Sequence, residues 1–173
     1  VQGAIDLYVE ITFDDHWRER LEVACETLAN YVDMTSSSRF VPGLKFRTGG
    51  KVVPDPLQLA RAVATVTSHG LRFKATQGLH DALSKEGHYG FINLFTAVSM
   101  AQFFGIENFG MESIQECLTA EKPSEISLGE KLKYQEFEMT AEQIEIARRS
   151  HGGCFGSCSL DEPEESLRQW LGA

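Results

Sequence analysis

Two basic segments, each followed by glycine, are the parts of the sequence most suited to chemistry. The first, KFRTGG at 45–50, carries Lys45 and Arg47 before Thr48, Gly49 and Gly50. Alternate side chains of a strand share a face, so the two cations point together. Glycines let backbone N–H groups approach a phosphate or carboxylate, and Arg47 adds a bidentate donor. The pattern predicts anion binding; the alternative is a plain turn beside surface ion pairs.

The second segment, FKATQGLH at 73–80, contains a lysine between apolar neighbours. Lys74, flanked by Phe73 and Ala75, has surroundings suited to Schiff-base or general-base work. Glu10, at the end of the first predicted strand, is a candidate general acid or base. The alternative is structural for both residues, with Glu10 neutralising Lys74 or Arg47.

Two histidines and one asparagine complete the candidate site. His80 and His88 flank a polar loop placed to cover a cleft, where either can shuttle protons. The sequence has no HExxH motif, so we predict no metal site and keep surface or capping roles as the alternative. Asn93 can bind a ligand or serve at the start of a helix. The predicted catalytic residues are Glu10, Lys74 and His80, and the predicted anion-binding residues are Lys45, Arg47, Thr48, Gly49, Gly50, Thr76, Gly78, His88 and Asn93.

The elements around these segments alternate between strand and helix. Apolar runs predict strands at 4–12, 44–47 and 71–76, with a turn at Pro42-Gly43. Apolar residues at helical spacing predict helices at 16–32 and from Pro56 to Gly70, separated from the second strand by a polar loop at 35–39. Lys45 and Lys74 are 29 positions apart (74 − 45), close to the length of one βαβ unit. The two strands should therefore be parallel neighbours.

The second half of the chain is less regular. It predicts an apolar helix at 90–104, a short helix at 111–120 and a hairpin or irregular strand pair at 126–137 around Gly129-Glu130. Thr140 should cap a helix ending near Arg149, and a last helix should start at Asp161 after the glycine-rich segment 151–159. A complete βα-barrel needs about 250 residues and eight units. The fold class is therefore α/β, a half or partial TIM-barrel-like assembly, with a small open doubly wound sheet as the alternative.

Composition sets the remaining expectations. The 173 residues fit a single domain, and the net charge of −9 argues against nucleic acid or acidic membranes as partners. No apolar run reaches the length of a membrane span, and the four cysteines show no CxxC spacing, so a cytoplasmic protein is expected. Cys158 precedes a predicted helix and is either a reactive or an inert thiol. A partial barrel leaves edges uncovered, which predicts a homodimer or larger homo-oligomer.

Five segments spread over nearly the whole chain carry a resemblance to known proteins. They are YVEI (8–11), KFRTGG, FKATQGLH, HYGFINLFTA (88–97) and FGSCSLDEPEESL (155–167). They resemble a family of uncharacterised bacterial proteins whose matching segments look like KIRTGG, FKATAGLHH, HGFLN and FGSCSFDEP. Those segments lie in the later half of a longer chain, which implies that this sequence is a later part too, as its start without Met also suggests.

This sequence departs from that family pattern at a few positions. Phe46, Gln77 and Asp81 differ, and Tyr89 is inserted before Gly90. The Asp81 difference argues against a paired-histidine role in that loop. The resemblance implies no particular activity. The RTGG strand end is also similar to the phosphate-site loops of aldolase and phosphoribosyltransferase barrels, a likeness at the level of fold.

The sequence has no dinucleotide fingerprint, Walker loop or metal cluster. The first functional hypothesis is therefore a lyase or isomerase, without a cofactor, acting on a small phosphorylated or carboxylated metabolite. The second hypothesis is a non-catalytic assembly or ligand-sensing domain, in which the basic strand ends form structural ion pairs.

Overall fold

The computed structural model describes residues 5–34, 40–150, 152–157 and 159–172. Its first half alternates strand and helix as predicted. The elements are β1 (Ile5–Ile11), α1 (Trp17–Met34), β2 (Phe40–Arg47), α2 (Pro56–Ser68) and β3 (Arg72–Thr76). The polar loop predicted at 35–39 and Cys158 lie outside the described residues.

The three strands run parallel and side by side. Lys45 of β2 lies directly opposite Lys74 of β3, and Arg47 lies opposite Thr76. On the other side of β2, Glu10 of β1 lies opposite Lys45. The prediction of parallel neighbours is therefore confirmed. The 29-residue spacing corresponds to the end of one strand, one crossover helix and the return to the same level of the sheet.

The second half adds helices, a second sheet and a fourth parallel strand. Its elements are α3 (Phe91–Phe104), α4 (Met111–Thr119), β4 (Ile126–Leu128), β5 (Lys131–Tyr134), β6 (Phe137–Thr140), α5 (Ala141–Ser150), β7 (Gly152–Gly156) and α6 (Asp161–Leu171). The parallel sheet has the order β1-β2-β3-β7, and β4-β5-β6 form a small antiparallel sheet. The α/β class is confirmed. A doubly wound sheet reverses its strand order, and this order does not reverse, so that alternative does not describe this sheet.

The start of β2 corrects one prediction. Pro42 and Gly43, predicted as a turn, lie inside the strand. Pro42 has no N–H to donate to a neighbouring strand. It is tolerated because β3 begins to pair only at Gly43, so that β2 pairs with β1 alone at the level of Pro42. Gly43 is needed for space: a Cβ there would lie 2.6 Å from the Arg72 carbonyl oxygen and 2.8 Å from the Tyr8 ring.

Two further strands were missed. The glycine-rich segment after α5 forms β7 rather than a loop, since it can pair with β3 and since Phe155 supplies an apolar anchor between Phe91 and Phe95. The predicted hairpin around Gly129-Glu130 exists as β4 and β5, but a third strand, β6, follows it. Thr140 caps α5 through reciprocal hydrogen bonds with Gln143, as predicted.

The parallel sheet has one buried face and one partly open face. On β2 and β3 the side chains of the buried face pack against the helices and are fully or almost fully inaccessible, as Leu44, Phe46, Phe73 and Ala75 show. The alternating residues on the other face include Glu10, Lys45 and Lys74, all half-buried. The apolar helix α3 contacts α2, α4, α5 and β7 and is therefore covered on more than one side.

No helix within the described ranges combines the length and the apolar character needed to cross a membrane. Among the described cysteines, Cys25 and Cys117 are buried thiols and Cys154 is exposed. Burial raises the pKa of Cys25 to about 12 and that of Cys117 further still. Neither buried thiol is therefore suited to nucleophilic chemistry near neutral pH.

Candidate functional site

The loops that follow β2 and β3 touch each other backbone to backbone. The N–H of Thr48 donates to the Thr76 carbonyl at 2.9 Å, and the Thr48 hydroxyl donates to the Gln77 carbonyl at 2.7 Å. A Cβ on Gly49 would lie 2.8 Å from the backbone N and Cα of Gly78. The two glycine-bearing segments therefore meet at one place, and glycine at 49 is what lets them.

The fourth strand is tied to the same place. The N–H of Gln77 donates to the Gly156 carbonyl at 3.1 Å, and Gln77 and Gly78 both adopt left-handed backbone conformations, with φ of 69° and 72°. Consecutive residues with unusual φ can turn their N–H groups toward a common point. The ends of β2, β3 and β7 are thus joined around the two glycine loops.

Several amides in these loops have no acceptor among the residues that the structure describes. The N–H groups of Gly49, Gly50 and Gly78 donate to no residue in the described part of the chain. Gly49 is buried, and buried backbone donors are almost always paired with protein, water or ligand. These amides are the donors expected of an anion site.

Two clefts open on either side of the loops and share Gly49, Gly50 and Gln77. The first, which we call the arginine cleft, has a volume of about 530 Å³ and is lined also by Arg47 and Lys51. The second, the histidine cleft, has a volume of about 620 Å³. Its other lining residues are Thr76, Gly78, His80, His88, Gly156 and Ser157.

The basic side chains of β2 are joined to an acid. The Glu10 carboxylate binds the Lys45 ammonium through one oxygen and Arg47 Nε through the other, the latter at 2.8 Å. The hydrogen bond from Lys45, assisted by Arg47 and opposed by partial burial, holds the pKa of Glu10 below its ordinary value. The terminal nitrogens of Arg47 bind no described residue, and Arg47 lines the arginine cleft.

Lys74 has a different partner from the one proposed for it. Its ammonium lies 5.1 Å from the centroid of the Tyr8 ring, in cation–π geometry. Glu10 pairs with Lys45 and Arg47, and none of the described carboxylates lies within ion-pairing distance of Lys74. Lys45 and Lys74 line neither cleft, whereas Glu10 lines the arginine cleft together with Arg47. The two predicted lysines therefore lie on the open face, apart from the loop residues at the strand ends.

The histidines lie on the loop side. His80 Nδ1 is 2.6 Å from a carboxylate oxygen of Glu162 in the first turn of α6. His88 is exposed at the edge of the same cleft. Glu162 was not predicted from the sequence as a site residue. The signal available was its position in the first turn of the predicted last helix. A carboxylate at this distance can hold the imidazole ring in one orientation.

Asn93 lies away from both clefts. It is fully buried; its amide nitrogen donates to the carbonyls of Cys117 and Ala120, and its oxygen accepts from the N–H of Ser84. The amide is thus used to join the start of α3 to the end of α4. This geometry fits the alternative role of Asn93 at the helix start.

Neither metal-binding groups among the described residues nor similar proteins add to the description of the site. Within the described ranges, no group of three or more histidine, cysteine, aspartate or glutamate side chains is placed to hold a metal ion. Comparison of the chain with protein-family models, with curated proteins and with solved structures found no match.

Proposed function

We propose that this chain binds a small phosphorylated or carboxylated metabolite at the carboxyl ends of its parallel strands. The observation that carries this proposal is the contact between the two glycine loops, where the amides of Gly49, Gly50 and Gly78 have no acceptor within the described ranges. Arg47 stands beside these amides with its terminal nitrogens unused. Ligands of parallel α/β sheets bind at this end of the strands.

The reaction that fits this site best is that of a lyase or isomerase. Such reactions need proton transfer beside a bound anion, and they need no dinucleotide. His80, oriented by Glu162, is the proposed proton carrier in the histidine cleft. Lys74 is the proposed electrophile or base, with Glu10 controlling the charge around it; this role requires a substrate that extends from the loops over the open face.

The fold is proposed to be part of a βα-barrel. The sequential strand order, with both ends of the sheet left as edge strands, supports this proposal. Leu7 and Val9 of the edge strand β1 are exposed, with 52% and 39% of their surface accessible. Exposed apolar residues on an edge strand favour association, so we propose a homodimer or larger assembly, which light scattering can test.

One observation favours a non-catalytic alternative. Glu10 binds both Lys45 and Arg47, and Tyr8 lies against Lys74, so the cations of the open face already have partners. A ligand-sensing or assembly domain needs no reactive group there. In this alternative the glycine loops would bind a ligand without turning it over.

Thermal-shift measurements test the proposal. Binding to the native state raises Tm, so inorganic phosphate, phosphosugars or keto acids should stabilise the chain in a concentration-dependent way. Arg47→Gln should reduce that shift, while Arg168→Gln, a matched change at an exposed arginine paired with Glu164, should leave it unchanged. A chain that none of these anions stabilises would contradict the proposal. NMR of the stabilising compounds incubated with the protein separates enzyme from sensor.

A further inference from the structure

A third cavity, which shares no lining residue with the two clefts at the glycine loops, has a different character. It lies between α3, the β4–β5 hairpin, α5, β7 and α6, and has a volume of about 400 Å³. This size is within the range of small-molecule sites, about 300–1,000 Å³. Its walls are mostly apolar side chains, so the cavity suits a ligand with an apolar body.

One wall is built from aromatic rings. Phe91 and Phe155 stack at 4.9 Å with an angle of 4° between their planes, and Phe95 meets Phe155 edge to face at 5.6 Å. These rings come from α3 and β7 and therefore hold a flat surface in place. Trp170 of α6 lines the same cavity.

Two hydroxyls face this apolar space. Thr96 and Ser99, with 1% and 2% of their surface accessible, lie one turn apart on α3 and both line the cavity. Neither hydroxyl bonds to any described residue, whereas Thr67 in α2 donates to the Val63 carbonyl at 2.8 Å. Both hydroxyls are therefore free to bond to a polar group of a ligand inside the cavity.

A cation stands at the rim. The guanidinium of Arg148 lies 5.4 Å from the centroid of the Phe95 ring, and no described carboxylate pairs with it. Glu164, which also lines the cavity, binds Arg168 at 2.8 Å, and Glu145 binds Arg149. Arg148 is thus positioned to bind a carboxylate at the mouth of an apolar cavity.

We propose that this cavity is a binding site for an apolar monocarboxylate whose body carries a hydroxyl or keto group. The carboxylate binds Arg148 at the rim, the apolar body lies against the aromatic wall, and the polar group bonds to the hydroxyls of Thr96 and Ser99. The site is separate from the glycine loops and does not depend on the function proposed for them.

The fluorescence of Trp170 provides a direct test. The chain has two tryptophans, and Trp17 is buried in α1, so Trp17→Phe leaves Trp170 as the reporter. Decanoate, decanol and 10-hydroxydecanoate should each change the emission and saturate, with 10-hydroxydecanoate tightest and decanol weakest. If Trp17→Phe does not fold, isothermal calorimetry on the unaltered chain measures the same three affinities, and we expect the same ranking.

Matched variants assign each contact. Arg148→Gln should weaken decanoate binding by about fivefold and leave decanol unchanged, as expected for one exposed ion pair. Arg149→Gln, at the neighbouring arginine outside the cavity, should change neither. Thr96→Val with Ser99→Ala should remove the preference for 10-hydroxydecanoate over decanoate.

Three outcomes would overturn the proposal. Equal affinity for decanoate and decanol would remove the role of Arg148, and equal affinity for decanoate and 10-hydroxydecanoate would remove that of the hydroxyls. Absence of any saturable signal in both assays would mean that the cavity accepts no such ligand, as when a segment of the chain itself fills it.

Discussion

The two faces of the four-stranded parallel sheet carry different side chains, although these alternate along the same strands. On the helix-covered face, Phe46 is fully buried and stacks on Phe73 with ring centroids 4.8 Å apart. On the open face, Lys45 and Glu10 form an ion pair and keep 29% and 26% of their side-chain surface accessible. The first face is stabilised by burial of apolar surface, and the second is arranged by charge.

This difference shows where a ligand can gain binding energy. The helix-covered face has no space, and the charges of the open face are engaged by Glu10 and Tyr8. The unused donors are found where both faces end, in the loops after β2 and β3. Stability and binding are therefore expected to depend on different residues, even when these residues are adjacent in sequence.

The largest effect is expected on the helix-covered face. Phe46→Ala removes a fully buried ring that also contacts Phe13, and should lower the free energy of unfolding by about 3–5 kcal/mol. Lys45→Met, one position earlier on the open face, should cost about 1 kcal/mol or less. Chemical denaturation of both variants measures the contrast. Similar losses for the two would contradict the assignment of the faces.

An intermediate effect is expected where the loops meet. Gly49→Ala places a methyl group 2.8 Å from backbone atoms of Gly78, so one loop must move, at a cost of about 1–3 kcal/mol. Gly129→Ala is the matched control, because a Cβ there meets nothing within 4 Å. A Gly49→Ala variant as stable as Gly129→Ala in thermal unfolding would show that the loops are not in close contact.

The smallest effect concerns the acid on the open face. Because the pKa of Glu10 in the folded state is below its ordinary value of 4.5, its ion pairs add stability that is complete above that pH. The contribution is lost as the pH falls through the folded-state pKa. Glu10→Gln should therefore be less stable than the original chain at neutral pH, by about 1 kcal/mol or less, and the gap should shrink as the pH falls below 4.5.

Urea unfolding at neutral pH and at a series of lower pH values measures the difference in the free energy of unfolding between Glu10→Gln and the original chain. Glu164→Gln, at an exposed helical acid bound to Arg168, is the control and should show a smaller gap at neutral pH. A gap for Glu10→Gln that stays constant, or that grows as the pH falls, would disprove the role assigned to these ion pairs.

The sequence predicted the first three strands and their pairing because apolar runs and helical spacing are strong there. Lys45 and Lys74 are one βαβ unit apart, and the structure places them side by side. The strand at β7 could not be predicted, since Gly152, Gly153 and Gly156 give it little to bury and its pairing with β3 defines it. A local pattern does not contain that information.

The candidate site could be predicted only in part, because a local pattern does not show which distant residues come into contact. Strand periodicity places Glu10, Lys45 and Arg47 on one face, but it does not say which cation the acid binds. The contact between Gly49 and Gly78, and the pairing of His80 with Glu162, join residues 29 and 82 positions apart. Such contacts depend on how loops of different units pack.

The most direct test of the anion site is NMR of the ¹⁵N-labelled chain titrated with inorganic phosphate. We predict that the amide resonances of Gly49, Gly50 and Gly78 shift together and saturate with a single Kd, because their N–H groups share one ligand. The amide of Gly129, which already donates to the Lys131 carbonyl, should not move. If the three glycine resonances stay fixed, or drift without saturation as Gly129 does, the strand-end loops are not an anion site.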